Sequence, residues 1–142
     1  MGIDGLRFGH VAFKVADVEK SLKWYGDAFG AKKIYHTPAQ GERPELMFLE
    51  FTNGQCVELF TGGKQAVKHA NDAIGYMHFC LVVNDIQQAL AHLTAMNAKI
   101  ERPLFDGRAK QKIFFIADPD GNIIELMEIP PESPIYREWK GS

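Results

Sequence analysis

The chain has 142 residues, a formal net charge of −2, and 46% hydrophobic and 24% charged residues. This length suits one domain, or two small units packed together. The near-neutral charge gives no reason to expect nucleic acid or an anionic membrane as a partner. No apolar run has the length of a membrane span, and residues 1–10 lack the features of a signal peptide. We therefore expect a cytoplasmic protein in which Cys56 and Cys80 are reduced.

The first half of the chain predicts a strand, a helix and three more strands. Residues 6–15 are apolar and β-prone, and Asp17 is a good N-cap for a helix over residues 18–29 that ends at Gly30. Three further strands are predicted over residues 31–36, 45–51 and 55–60.

Two polar segments connect these elements. The Asn53-Gly54 pair is typical of a hairpin turn and joins the last two strands. Residues 61–75 are small, polar and Gly-containing, and we interpret them as a linker.

The same order of elements returns after the linker. Residues 76–83 predict a strand, and Asp85 caps a helix that runs through about Met96. The remaining strands are predicted to start at residue 99 and to cover residues 112–117 and 122–129. Residues 103–111 are expected to form a basic loop, with Gly107 as a hinge, and residues 130–142 a Pro-rich tail.

A fixed spacing supports this repeat. His10 and Asp17 recur 68 residues later, as His78 and Asp85. Glu58 recurs 67 residues later, as Glu125. The chain therefore predicts two βαβββ units, at about residues 6–60 and 76–129, in a single α+β domain.

Each unit places a histidine in its first predicted strand and a glutamate in its last. Strand alternation puts His10, Glu58, His78 and Glu125 on faces that are otherwise mostly apolar, where an unpaired charge is costly. One such residue alone is usually an ordinary strand residue, but four at repeat-related positions require a shared reason. Imidazole and carboxylate groups match the ligands of one divalent Ni, Co, Zn, Mn or Fe ion.

Two stretches carry a resemblance to a known family. HVAFKVADVEKSLKWYGDAFG at residues 10–30 and ADPDGNIIELMEI at residues 117–129 resemble the vicinal oxygen chelate superfamily of glyoxalases, bleomycin resistance proteins and extradiol dioxygenases. The resemblance implies two cupped mixed sheets around a central metal site. It also implies that the first and fourth strands of each unit are neighbours, which places His10 beside Glu58 and His78 beside Glu125.

The four-ligand set is most similar to that of bacterial glyoxalase I. It implies a lyase or isomerase that moves a proton through an enediolate, with Glu125 as the base and Glu58 sharing the role for the opposite stereochemistry. Two alternatives stay open. One is a metal-dependent epimerase or isomerase of another 2-oxo or CoA-linked substrate, and the other is a metal-free binding or resistance protein.

The expected partner is a small, anionic substrate, with neither nucleic acid nor membrane, and the protein is expected to be a homodimer. Lys14, Phe60, Arg108 and Lys110 are the predicted substrate contacts. The resemblance implies an arginine at Lys14 and an asparagine at Gly62, so glutathione is not predicted as the thiol carrier. The basic loop is alternatively an ordinary solvated loop. Whether a site lies within one chain or across a dimer stays open.

Overall fold

The structure is a computed structural model that describes residues 2–52, 54–67 and 72–140, without the side chains of residues 137, 139 and 140. Its contacts divide the chain into two compact units, Met1–Ala66 and Val67–Ser142. Within the described ranges, no helix has the length and apolar character needed to cross a membrane.

The first unit is a four-stranded mixed sheet with one helix. Its strand order is β1-β4-β3-β2, in which β1 and β4 are parallel and the other neighbours are antiparallel. Its elements in chain order are β1 (His10–Lys14), α1 (Val18–Phe29), β2 (Lys32–Thr37), β3 (Leu46–Glu50) and β4 (Cys56–Phe60).

The second unit repeats this topology with the order β5-β8-β7-β6, again with the first and last strands parallel. The predicted α+β fold with two βαβββ units is therefore confirmed. Its elements are β5 (Phe79–Val82), α2 (Ile86–Ala95), β6 (Lys99–Asp106), β7 (Lys112–Ala117), β8 (Ile123–Glu128) and α3 (Pro134–Lys140).

Local signals fix the ends of α1. The Asp17 side chain accepts a hydrogen bond from the Lys20 backbone N–H at 3.0 Å, which satisfies one of the free donors of the first turn. Gly30 ends the helix in the left-handed conformation at φ 67°, where a side chain would be strained. Asn97 has the same conformation after α2, at φ 58°.

Alternation along the strands separates a core face from a partly open face. In β4, Val57 and Leu59 are buried, whereas Glu58 is half-buried. Tyr25 of α1 is fully buried, and the centre of its ring lies 6.0 Å from that of Phe13. Phe13 and Glu58 are on opposite faces of the sheet, so α1 covers the face opposite Glu58. Such burial is the main source of stability. In the second unit, α2 contacts β7 and β8 in the same way.

Two predictions about the second unit were wrong. The expected loop at residues 103–111 is shorter, because β6 continues to Asp106 and only residues 107–111 form the turn. Pro103 is tolerated there because β6 is an edge strand with register shifts on both sides of Arg102. The strand predicted over residues 76–83 begins only at Phe79, so His78 precedes β5. The predicted tail contains the helix α3. The predicted turn residue Asn53 lies outside the described residues.

Candidate metal centre

In the first unit, the parallel pairing of β1 and β4 brings His10 beside Glu58. In the register of these two strands, Ala12 lies opposite Glu58. The His10 Nε2 atom lies 3.2 Å from a carboxylate oxygen of Glu58. Phe48, opposite Glu58 on β3, packs against His10 in an edge-to-face arrangement with the ring centres 5.2 Å apart. The pair therefore lies on a face with an aromatic wall.

In the second unit, His78 and Glu125 form the corresponding pair. The Nε2 atom of His78 lies 2.8 Å from a carboxylate oxygen of Glu125, at hydrogen-bond distance. Phe115, opposite Glu125 on β7, contacts His78 with the ring centres 5.2 Å apart. The aromatic wall is therefore repeated as well.

Glu125 has a further neighbour in Cys80, which lies opposite it on β5. Burial, followed by the charge of the Glu125 carboxylate and a hydrogen bond to it, raises the pKa of the Cys80 thiol to about 12. The thiol is therefore protonated at neutral pH and donates a hydrogen bond to Glu125.

The donor atoms of each pair fit adjacent ligands of one divalent ion. Metal–nitrogen and metal–oxygen bonds of about 2.1 Å at a right angle separate the two donors by about 3 Å. The separations of 3.2 Å and 2.8 Å agree with this geometry. Among the described residues, the structure gathers no three potential ligands into one cluster. The structure thus brings the four predicted ligands together as two pairs, and their union in one centre stays a prediction.

The predicted substrate contacts also fall into two sets. Lys14 is exposed and lies opposite the half-buried Phe60, at the ends of β1 and β4. Arg108 and Lys110 are exposed in the turn between β6 and β7. Each set belongs to one unit. Gly62, where the resemblance implies an asparagine, follows β4 with φ 86°.

No signal in the sequence indicated the contact of one cation, Arg102, with the second aromatic wall. Phe105 stacks on Phe115 with ring centres 6.1 Å apart, and the guanidinium of Arg102 lies 3.6 Å from the centre of the Phe105 ring. Such a contact is a cation–π interaction. Arg102 directly precedes the predicted basic loop at residues 103–111, and the greater length of β6 brings it to this wall.

A third His–Glu pair was also missed. The Nε2 atom of His36 lies 2.7 Å from a carboxylate oxygen of Glu45, where it links β2 to the residue before β3. The position of His36 corresponds to Pro103 in the second unit. The spacing of the repeat therefore gave no signal for it.

Comparison with known proteins gives consistent matches. The family model of the Glyoxalase/Bleomycin resistance protein/Dioxygenase superfamily matches residues 7–126. The lactoylglutathione lyase GLX1 of Arabidopsis thaliana is 28% identical over 134 residues, which cover 90% of this chain and 46% of that protein. The lactoylglutathione lyase of Pseudomonas aeruginosa is 25% identical over 145 residues, which cover 85% of this chain and 81% of that protein.

A solved structure shows the same fold. The glyoxalase family protein from Enterococcus faecalis has a TM-score of 0.78 and 23% identity, and the match covers 89% of this chain and all of that one. The chain spans about half the length of the Arabidopsis and Schizosaccharomyces pombe relatives that it matches. Because the family model matches most of the chain, the protein belongs to the glyoxalase/bleomycin resistance protein/dioxygenase superfamily.

Proposed function

We propose that the protein is a metal-dependent lyase or isomerase of the glyoxalase I type, acting in the cytoplasm on a 2-oxoaldehyde–thiol adduct or a related small carbonyl compound. The observation that carries the proposal is the repetition of one His–Glu pair, at 3.2 Å and 2.8 Å, at corresponding positions of the two units. The relatives named lactoylglutathione lyase support it.

In this proposal His10, Glu58, His78 and Glu125 hold one divalent Ni, Co, Zn, Mn or Fe ion. When bound, such an ion polarises the vicinal oxygens of the substrate and stabilises negative charge on them. Two imidazole nitrogens and two carboxylate oxygens are a suitable ligand set. The side chains of His10 and His78 are partly exposed, at 41% and 27%, so a substrate can reach both pairs.

Glu125 is the proposed base. Its carboxylate takes the proton from the carbon next to the carbonyl and returns it to the neighbouring carbon. The Cys80 thiol holds one side of this carboxylate through its hydrogen bond. Glu58 shares the role for a substrate of opposite stereochemistry.

The surroundings of the pairs suit a substrate with an apolar part and an anionic part. Phe48 and Phe115 pack on the two histidines and reduce the access of water. Lys14 and Phe60 in the first unit, and Arg108 and Lys110 in the second, are the proposed substrate contacts. The exposed cations attract an anionic group.

A second candidate is an epimerase or isomerase of another 2-oxo or CoA-linked substrate. It is favoured by Lys14 and Gly62, where the resemblance implies residues that bind glutathione. A lysine is a flexible point charge and does not replace the planar fork of an arginine on a carboxylate. Gly62 has no side chain to offer a carrier.

Metal analysis of the purified protein tests the proposal when it is combined with a panel of methylglyoxal adducts of glutathione and of other thiols. We expect one divalent ion per site and turnover of at least one adduct. Stoichiometric metal without turnover, but with solvent deuterium exchange next to a carbonyl, favours the epimerase. A preparation without stoichiometric metal after mild purification favours a binding protein.

Coexpression of two differently tagged inactive variants tests the proposed homodimer. If each site is built from the first unit of one chain and the second unit of its partner, a mixed dimer of His10→Ala and His78→Ala chains regains one intact site. If each site lies within one chain, the mixed dimer is inactive. Activity of the doubly purified mixed dimer distinguishes the two arrangements.

A further inference from the structure

The C-terminal segment covers the Glu125 face of the second unit. Ile113, Met127 and Ile129 form a buried cluster on this face, and Ile135 and Tyr136 of α3 pack against it. Met127 is the next residue after Glu125 on the same side of β8, since alternate residues of a strand share a face. The helix α3 therefore lies one row of side chains beyond the proposed base.

Ser133 connects this segment to the basic turn. Its side chain is almost fully buried, at 3% exposure for the residue, and its hydroxyl donates a hydrogen bond of 2.6 Å to the backbone carbonyl of Ala109. The Ser133 carbonyl accepts from the Tyr136 N–H at 3.0 Å, and the Ser133 N–H donates to the Pro130 carbonyl at 2.9 Å. One serine thus begins α3 and contacts the turn.

The turn itself is tightly closed. The Gly107 N–H donates to the Gln111 carbonyl at 2.7 Å, and the Ala109 N–H donates to the Gln111 side chain at 2.9 Å. A Cβ atom at Gly107 would come within 2.6 Å of the side-chain amide of Gln111, so that side chain would have to shift. Lys110 has φ 62°, which is unfavourable for a residue other than glycine. The hinge that we expected at Gly107 is thus part of a closed turn.

The turn carries its cations on both sides of the anchored residue. Arg108 and Lys110 flank Ala109 and are exposed. Lys112, at the end of the turn, is three residues along β7 from Phe115, which lies opposite Glu125. At about 3.3 Å per residue, this places the turn roughly 10 Å along the sheet from the base.

We propose that Ser133 is a positioning residue, through which the C-terminal segment holds Arg108 and Lys110 against the anionic end of an elongated substrate. This inference rests on the proposed function. The expected substrate is a compound whose anionic group lies about 10 Å from the carbons that exchange the proton. This distance corresponds to three residues along a strand. The segment thereby selects the substrate without touching the reacting atoms.

The test is Ser133→Ala in the full chain, with the methylglyoxal adduct that the panel identifies as the best substrate. Loss of one hydrogen bond to the turn is expected to raise KM about 5-fold, with kcat and metal content unchanged. Backbone amides 108–111 are expected to exchange hydrogen faster. Ser21→Ala is the matched control, because Ser21 is fully buried in α1 and its hydroxyl has no hydrogen-bond partner in the described part of the chain. It should change neither KM nor this exchange.

A double-mutant cycle separates positioning from a general loss of stability. In an Arg108→Gln/Lys110→Gln background, Ser133→Ala should have no further effect on KM, because the cations that it positions are gone. An equal effect in both backgrounds, an unchanged KM, or a parallel loss of metal overturns the inference.

The hydrogen exchange does not depend on turnover. Unchanged exchange at residues 108–111 in Ser133→Ala overturns the inference on its own. If the unmodified protein converts no adduct on the panel, the proposed function fails while faster exchange still supports the anchoring of the turn. The two failures are therefore distinguishable.

Discussion

The two units share one topology, but they enclose their His–Glu pairs differently. The side chain of His10 is 41% exposed and lies 3.2 Å from Glu58, whereas that of His78 is 27% exposed and lies 2.8 Å from Glu125. The strand pairing is the same in both units, since the first and fourth strands are parallel neighbours. The repeat therefore preserves the pair and varies its surroundings.

The neighbours of the two glutamates show the same asymmetry. Ala12 lies opposite Glu58 and offers only a methyl group, whereas Cys80 lies opposite Glu125 and donates a hydrogen bond. The next row beyond Glu125 is covered by α3. The proposed roles follow this asymmetry: both carboxylates are proposed metal ligands, and Glu125, which also accepts a hydrogen bond from Cys80, is the proposed base. This division of roles is open to direct test.

The largest expected effect is on catalysis. Glu125→Gln is expected to lower kcat by on the order of 10³-fold, because the amide cannot accept the proton, while Glu58→Gln lowers it by about 10-fold. Steady-state kinetics on the adduct that the unmodified enzyme prefers measure both. Metal content and circular dichroism must be matched between the variants, and equal losses would contradict the division of roles.

Removal of the metal by a chelator tests whether both His–Glu pairs bind it. Chelation is expected to lower the melting temperature by several degrees, since saturation at 100 times the Kd contributes about 2.7 kcal/mol to the free energy of unfolding. His10→Ala and His78→Ala should each abolish this response. We expect metal affinity to fall further in His78→Ala, because His78 is the more enclosed histidine. A chelator response that persists in either variant would exclude that histidine as a ligand.

Most of the fold follows from local signals in the sequence. The helix over residues 18–29 was predicted from Asp17 and Gly30, and the structure gives the same bounds, because capping depends on a few adjacent residues. The strand β6 was cut short in the prediction because Pro103 is a strong breaker, and only its place at the sheet edge makes it acceptable. Edge position depends on long-range pairing.

The candidate site was predictable only in part, because its contacts also depend on residues that are far apart in the sequence. The repeat spacing identifies His10, Glu58, His78 and Glu125 as candidates, but which strands are neighbours came from the family resemblance. The contacts of Ser133 with residue 109 and of Arg102 with Phe105 had no local signal. The packing of Tyr136 against the buried cluster of Ile113, Met127 and Ile129 likewise had no local signal, and the side chain of Trp139 lies outside the described residues.

The helix N-termini extend the comparison to stability. Asp17 caps α1 by accepting from Lys20 at 3.0 Å, whereas α2 has both Asp85, which accepts from Gln88 at 2.9 Å, and Glu128, which accepts from the Ile86 N–H at 2.8 Å. Asp17→Ala is expected to reduce the free energy of unfolding by about 1 kcal/mol, and Asp85→Ala by about 0.5 kcal/mol. Urea titration measures both. A larger cost for Asp85→Ala would show that Glu128 does not support this helix end.

The smallest expected difference is between the two thiols. Burial, followed by the nearby Glu50 carboxylate, raises the pKa of Cys56, but burial and Glu125 raise that of Cys80 as far as about 12. Because the thiolate is the reactive form, iodoacetamide at pH 8 should modify Cys56 before Cys80, as mass spectrometry of the proteolytic peptides would show.

The Cys80 shift also predicts the sign of a pH effect on stability. The folded state keeps the Cys80 proton at a pH where the unfolded thiol, with a pKa near 9.0, has lost it. This stability contribution is therefore fully present below pH 9 and is lost as the pH rises toward 12. In Cys80→Ala, the free energy of unfolding should therefore fall less between pH 9 and pH 12 than in the unmodified protein. Cys56→Ala should have a smaller effect on this fall. Equal alkylation of the two thiols, or an unchanged alkaline profile in Cys80→Ala, would show that Cys80 is not the enclosed partner of Glu125.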